Sequence, residues 1–292
     1  MNQDGFQVVR GKRKRRKNRF FNVQHASQSF LLSHGLNDNN ISDLDLALAK
    51  IVEYQKEITD SDFYIRLVNQ LENVLQPKNI QQTVCCLGCE ENRLTALNLD
   101  SFHIVCYGLG NFSSCVSSQY QLALLLGLKA WFNIDNVLLY DPMFSSSEIQ
   151  LLKKAGCEII VKNEEGKRSV KTKTLFYMPH CGKPLYNSVL WANWSPDHLP
   201  LVVILGNSFN TMMCNTPVKW LEDSVPYIVK VLPFKQETMI ENDFRINDIF
   251  NDIAVHSFNR EKLLQELSDF WEEATEPSYN SDDEIICSSQ MK

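Results

Sequence analysis

Between residues 102 and 207 short apolar runs alternate with longer stretches of helical spacing. Ile104–Tyr107, Asn136–Tyr140, Cys157–Val161, Thr174–Met178 and Leu201–Leu205 are each almost continuously apolar. Runs of that kind predict strands covered on both faces, as in a parallel sheet. The segments between them predict helices over Val116–Leu128, Glu148–Ala155 and Lys183–Trp191, with right-handed crossovers. Upstream, Leu44, Leu48, Ile51 and Val52, then Ile65, Val68, Leu71 and Leu75, recur at intervals of three and four. They predict two helices broken near residues 59–62, the first capped by Ser42 and the second ending before Pro77, packed on one face of the sheet. Downstream, Tyr227, Ile228, Val229 and Val231 suit a sixth strand over Val225–Leu232. Leu263, Leu264, Leu267, Phe270 and Trp271 line one face of a helix over Arg260–Trp271.

The pattern predicts an α/β fold: a Rossmann-like open, mostly parallel sheet flanked by helices. Four segments follow from it. Residues 1–40 are a disordered basic arm and linker, and 41–100 a helical segment packing on the sheet. Residues 101–271 form the α/β domain, and 272–292, acidic and Ser-rich, are expected to be a disordered tail.

Charge sharpens this division. The chain has 292 residues and net charge −6, yet residues 1–20 hold eight Lys or Arg against one Asp. The remainder is therefore strongly acidic, which argues against nucleic-acid binding by the main domain. The run Lys12–Lys17 reads either as a nuclear localisation signal or RNA contact, or as a solvated tail. No apolar stretch approaches the length of a membrane span, and no secretory signal is expected, so the location expected is cytoplasmic or also nuclear. Nine cysteines without such a signal read as reduced thiols. Cys86-x-x-Cys89 has zinc-like spacing but no second pair, and no metal site is expected from it.

In an open parallel sheet, ligands sit beyond the carboxyl ends of the strands. After the first strand, Gly108-Leu109-Gly110 allows a tight turn, and the helix that follows offers N–H groups suited to an anion. Ser113 stands where a dinucleotide fingerprint has its third glycine, so the turn suits a nucleoside-sized pocket better than a dinucleotide. Asp141, ending the second strand, is placed to meet a ribose hydroxyl, or else begins an Asp-Pro turn. His180 after the fourth strand is a candidate acid, base or metal ligand, or a structural histidine. Cys181 is beside it. Asn207 and Ser208, after the fifth, are placed to bond a ligand or to cap a helix. Trp191 and Trp194 are candidates for stacking on a flat ligand or for core packing. The ligand-binding candidates are thus Gly108, Gly110, Ser113, Asp141, His180 and Asn207, with His180 the candidate for catalysis.

The stretches VCYGLGNFSSCVSSQYQLALLL, VLLYDPMFSSSEIQLLKKAGCEII, TLFYMPHCGKPLYNSVLWANW, LVVILGNSF and INDIFNDIAVHSF resemble the SRR-like domain family, from about Phe102 to Phe258. The family is named for a plant protein whose loss reduces sensitivity to red light. The combination YG-x-G, YDP-x-F, MPHC and GNSF carries the resemblance, and the basic arm fits the animal members. The resemblance implies a regulatory role in heme biosynthesis and circadian clock gene expression, and a fungal member is linked to microtubule stability. It carries no catalytic residues. Three molecular classes stay open: a protein binding a nucleotide or S-adenosylmethionine at the strand ends, as methyltransferases do; an interaction scaffold for protein partners; and a heme binder using His180 or Cys181.

Overall fold

The computed structural model describes residues 43–75, 102–272, 274–280 and 283–287. The basic arm, Ser42 and the Cys86–Cys89 pair lie outside them. The chain order is α1 (Asp43–Thr59), α2 (Asp62–Leu75), β1 (His103–Tyr107), α3 (Val116–Trp131), β2 (Val137–Tyr140), α4 (Ser146–Lys154), β3 (Cys157–Ile159), β4 (Thr174–Met178) and α5 (Lys183–Ala192). After a 3₁₀ turn (Leu199–Leu201) come β5 (Val202–Asn207), α6 (Phe209–Asn215), α7 (Val218–Ser224), α8 (Pro226–Val231), β6 (Lys235–Met239), α9 (Asn247–Phe250), β7 (Ile253–Phe258), α10 (Arg260–Leu263) and α11 (Ser268–Glu272). Among the described residues no helix is long and apolar enough to cross a membrane.

The strands form one open seven-stranded sheet in the order β3-β2-β1-β4-β5-β7-β6. The first five pair in parallel, and β7 runs antiparallel to both neighbours. The chain winds outward from β1 through β2 to β3, then returns to lay β4 on the other side of β1. The direction of winding therefore reverses between β1 and β4, where an open α/β sheet has its crevice.

Alternation explains why the strands read as unbroken apolar runs. Ile104, Cys106, Leu175, Tyr177, Val203 and Leu205 point to one face, where α1, α2 and α3 cover them. Val105, Tyr107, Phe176, Met178 and Ile204 point to the other, under α5 and α8. Each successive side chain is buried, on opposite sides. At the α1–α2 turn Ser61 Oγ accepts the Tyr64 amide at 3.1 Å and donates to the Ile58 carbonyl at 2.6 Å. That turn swings α2 so that the Tyr64 hydroxyl donates to the Gly127 carbonyl in α3 at 2.8 Å.

Three elements differ from the sequence expectation. The segment expected as a sixth strand over Val225–Leu232 is the helix α8. Pro226 occupies its first position, where a fixed φ suits a helix, and Tyr227, Ile228 and Val231 are buried at helical rather than alternating intervals. The sixth strand is instead Lys235–Met239, a polar edge strand with no apolar signature. The single helix expected over Arg260–Trp271 is two short ones. Bonds from Gln265 and Glu266 to carbonyls three residues back end α10, and α11 then carries Phe270 and Trp271 onto Trp194, each at 5.4 Å between centroids. Trp194 is core, and the Trp191 indole donates to the Ala274 carbonyl at 3.3 Å.

The acidic segment after α11, expected from composition to be disordered, contributes described residues that lie against the domain. Lys167 pairs with Glu276 at 2.8 Å and the Tyr227 hydroxyl donates to the Thr275 carbonyl at 2.8 Å. Asn187 donates to the Tyr279 hydroxyl at 2.8 Å, which donates in turn to the Pro184 carbonyl at 2.9 Å.

Candidate functional site

A cavity of about 240 Å³ opens at the carboxyl ends of β1, β2 and β4. Tyr107 and Gly108 supply its floor from β1, Tyr140 to Met143 one wall from β2, and His180 to Gly182 another from β4. Asn163, Glu165 and Gly166, from the loop joining β3 to β4, Leu185 of α5 and residues 284–286 complete it. The cavity therefore sits at the β1/β4 reversal.

Gly108 and Gly110 have φ of +68° and +77°, where a side chain is strained. At Gly108 a Cβ would also stand 2.5 Å from the Cys181 sulfur. The loop's amides are turned inward. Gly110 N–H donates to Asp141 Oδ2 at 2.7 Å, Ser113 N–H to Glu148 Oε1 at 2.8 Å, and Ser114 N–H to Asn111 Oδ1 at 3.1 Å. Glu148 is fully buried, and its carboxylate also accepts the Ser145 amide at 2.8 Å, closing a capping box at the start of α4. The Gly110, Ser113 and Ser114 amides are thus committed to the protein's own side chains rather than left for a phosphate.

Asp141 is nearly buried, and its second oxygen accepts the Met143 amide at 2.8 Å. Burial raises its pKa, opposed by these two amide bonds. Each carboxylate oxygen keeps a further lone pair for a ligand hydroxyl. The described lining carries Asp141, Glu165 and Glu284 and no lysine or arginine. Two cations of the loop joining β3 to β4 are engaged, Lys167 with Glu165 at 3.1 Å and Arg168 with Glu164 at 2.8 Å. Such a wall repels anions.

His180 has φ +56°, rare for a residue with a Cβ. The Asn207 side chain holds it there, accepting the His180 amide at 2.6 Å. The imidazole Nε2 donates to the Ile249 carbonyl at 2.9 Å, an assignment that follows from the carbonyl being acceptor only. The Cys181 thiol donates to the Tyr107 carbonyl at 3.3 Å. Burial, then the Asp141 charge, pushes its pKa well up, so it is a thiol rather than a nucleophilic or iron-ligating thiolate.

The expected residues therefore separate. Gly108, Asp141 and His180 line the cavity. Gly110 and Asn207 stand one hydrogen bond behind Asp141 and His180, and Ser113 is tied to Glu148. Ser208 caps α6, accepting the Thr211 amide at 3.0 Å. Among the described residues no group of three or more His, Cys, Asp or Glu is placed to hold a metal. The residues that sequence reasoning missed are Glu148, Asn163, Glu165, Gly182 and the strap 284–286. Of these only Glu148 had a signal, the Ser145-x-x-Glu148 spacing of a capping box.

The four motifs YG-x-G, YDP-x-F, MPHC and GNSF end four adjacent strands, β1, β2, β4 and β5, and bond to one another there. Ile249 and Asp252, from the INDIFNDIAVHSF stretch, hold His180 and Ser208 through their carbonyls. Residues 67–257 match the family model of the SRR1 domain. The mouse SRR1-like protein is 35% identical over 204 residues, 65% of this chain and 82% of its own length. The Drosophila melanogaster SRR1-like protein is 33% identical, over 64% of this chain and 66% of its own. The Arabidopsis thaliana protein Sensitivity to Red Light Reduced 1 is 34% identical over 53% of this chain, which spans about half of that protein's length. The chain belongs to the SRR1 domain family.

Proposed function

We propose that this chain is a regulatory protein whose strand-end cavity binds a small ligand carrying hydroxyls but no phosphate, S-adenosylmethionine or a related adenosine compound. One observation carries the reading: Asp141 follows β2 beside the β1/β4 reversal and lines a cavity whose described lining is acidic, with the Gly110, Ser113 and Ser114 amides of the neighbouring loop already bonded to side chains. The carboxylate suits a ribose diol, and the acidic lining suits a sulfonium or amine rather than a phosphate. The sheet order, with β7 reversed between β5 and β6, is also that of adenosylmethionine-dependent methyltransferases, which is support by fold analogy.

The biological setting comes from the family. Resemblance implies regulation of heme biosynthesis and circadian gene expression, in the cytoplasm and, through the basic arm, the nucleus. Heme enters here as what is regulated; the Cys181 thiol, bonded to the Tyr107 carbonyl, and the His180 Nε2, bonded to the Ile249 carbonyl, serve the fold.

Thermal unfolding of the full chain tests the reading. S-adenosylmethionine, S-adenosylhomocysteine or adenosine should raise Tm, and ATP and NAD should not. A Tm indifferent to all three phosphate-free compounds overturns it and leaves an interaction scaffold.

A further inference from the structure

We propose that the strap Glu284–Ile286 is the gate of the strand-end cavity, an element of this chain that must leave for a ligand to enter and that closes over it afterwards. The inference rests on the cavity being a ligand site, and it concerns that site's regulation.

Gly182 carries the argument. It is the N-cap of α5 with φ −64° and ψ 150°, a conformation open to any residue. Its lack of a side chain is needed for another reason. A Cβ there would overlap the Glu284 carbonyl and stand 2.7 Å from the Glu284 side chain. The rim of the cavity is thus shaped to admit the backbone of the strap. On the opposite rim Asn163 Nδ2 donates to the Ile286 carbonyl at 2.7 Å, while Asn163 Oδ1 accepts the Glu165 amide at 3.0 Å. One side chain therefore fixes both the cavity wall and the strap that crosses it.

The strap's base is anchored separately. Trp191, Tyr227, Lys167, Asn187 and Pro184 hold residues 274–279 against α5, α8 and the loop joining β3 to β4. Cys287, next after Ile286, is buried with its thiol donating to the Tyr279 carbonyl at 3.6 Å, so lifting the strap frees Cys287 while the base stays docked, as a local opening that leaves the core intact. Closure also brings Glu284 to a wall that already carries Asp141 and Glu165. Glu165 is already offset by Lys167 at 3.1 Å, which leaves the Asp141 and Glu284 charges for a sulfonium or amine ligand to offset, and such a ligand would favour the closed gate.

The test reads the gate without needing the ligand. Cys181 lines the cavity under the strap, while Cys106 is buried in the core. The full chain, a chain ended after Asn280, and Gly182→Ala are treated with N-ethylmaleimide, and modification of each cysteine is followed by peptide mass spectrometry. The two variants open the cavity by different means, so Gly182→Ala keeps the test alive should the shortened chain fold poorly. The expected result is Cys181 modified about tenfold faster in both variants with Cys106 still protected. Cys181 rates within about twofold of the full chain in both would overturn the gate. Faster Cys181 modification with no Tm response to any adenosine compound leaves the gate standing and removes the ligand reading. A Tm response with unchanged Cys181 rates does the reverse.

Discussion

Asp141 accepts the amide of Gly110, 31 residues earlier in the chain, at 2.7 Å. The bond ties the end of β2 to the glycine turn after β1, so the acid that faces the cavity also sets the shape of its floor. Removing the side chain strands two amides, those of Gly110 and Met143. Asp141→Ala should therefore cost about 1–3 kcal/mol in chemical denaturation and abolish the Tm response to S-adenosylmethionine. Asp141→Asn, which keeps one acceptor, should recover part of the stability. Equal stability of Asp141→Ala and the unaltered chain would show that the bond does not hold the turn.

Gly108 meets two demands, a positive φ and the approach of the Cys181 sulfur. Gly108→Ala should cost about 1–3 kcal/mol from strained backbone alone, with the overlap adding to it. Replacing Cys181 by Ala removes the overlap but not the strain. In the Cys181→Ala background the same substitution should cost less, by about 1 kcal/mol in a double-mutant cycle. Strict additivity would mean that the sulfur moves aside without cost.

A buried histidine beside Asn207 should make stability depend on pH. His256 is fully buried on β7, with Nε2 donating to the Asn207 carbonyl at 3.0 Å, Phe209 stacked on its ring at 4.1 Å, and Nδ1 3.7 Å from Glu237. Burial lowers its pKa to about 4, against the opposing pull of Glu237. The unfolded value is about 6.5. Protons therefore bind the unfolded chain more readily between these values. The stabilisation is complete above about pH 6.5 and is lost as pH falls toward 4. Glu237 has its own pKa lowered, its burial outweighed by bonds from Lys235 and Ser208 and by His256, and so pulls in the same direction. Urea midpoints at pH 7.5, 6.0 and 5.0 should fall in that order, and His256→Phe should flatten the upper part of the series. A midpoint that rises on acidification contradicts the assignment.

The sheet was legible because parallel strands bury every residue. Runs such as Thr174–Met178 announce themselves whichever face each side chain takes. The edge strand Lys235–Met239 had no such signal, because one side of an edge is solvated and its polar residues look like a loop. Asp141 and His180 were legible as strand ends. What lay between them was not. Glu148 reaches the glycine loop from α4, Asn207 reaches His180 from β5, and Glu284 reaches Gly182 across about a third of the chain. These are contacts across long loops, set by topology and absent from any local period. The docking of residues 274–280 was illegible for a related reason. An acidic composition implies solvation, yet the segment's carbonyls, the Tyr279 hydroxyl and Glu276 all bond to the domain.

His180 offers the sharpest separation of structural from ligand roles. Its φ of +56° strains any residue with a Cβ, and the Asn207 side chain holds it in place. His180→Gly removes that strain together with the imidazole bond to the Ile249 carbonyl, whereas His180→Ala removes the bond and keeps the strain. His180→Gly should therefore be the more stable of the two by about 1 kcal/mol. Asn207→Ala, which strands the His180 amide and takes an acceptor from the Tyr186 hydroxyl, should cost about 1–3 kcal/mol. Thermal unfolding of the three variants with and without S-adenosylmethionine then separates the roles. If His180 only shapes the turn, His180→Gly keeps the ligand response. If its ring meets the ligand, that variant loses the response while staying folded. A His180→Ala chain as stable as His180→Gly would show that the left-handed turn carries no strain.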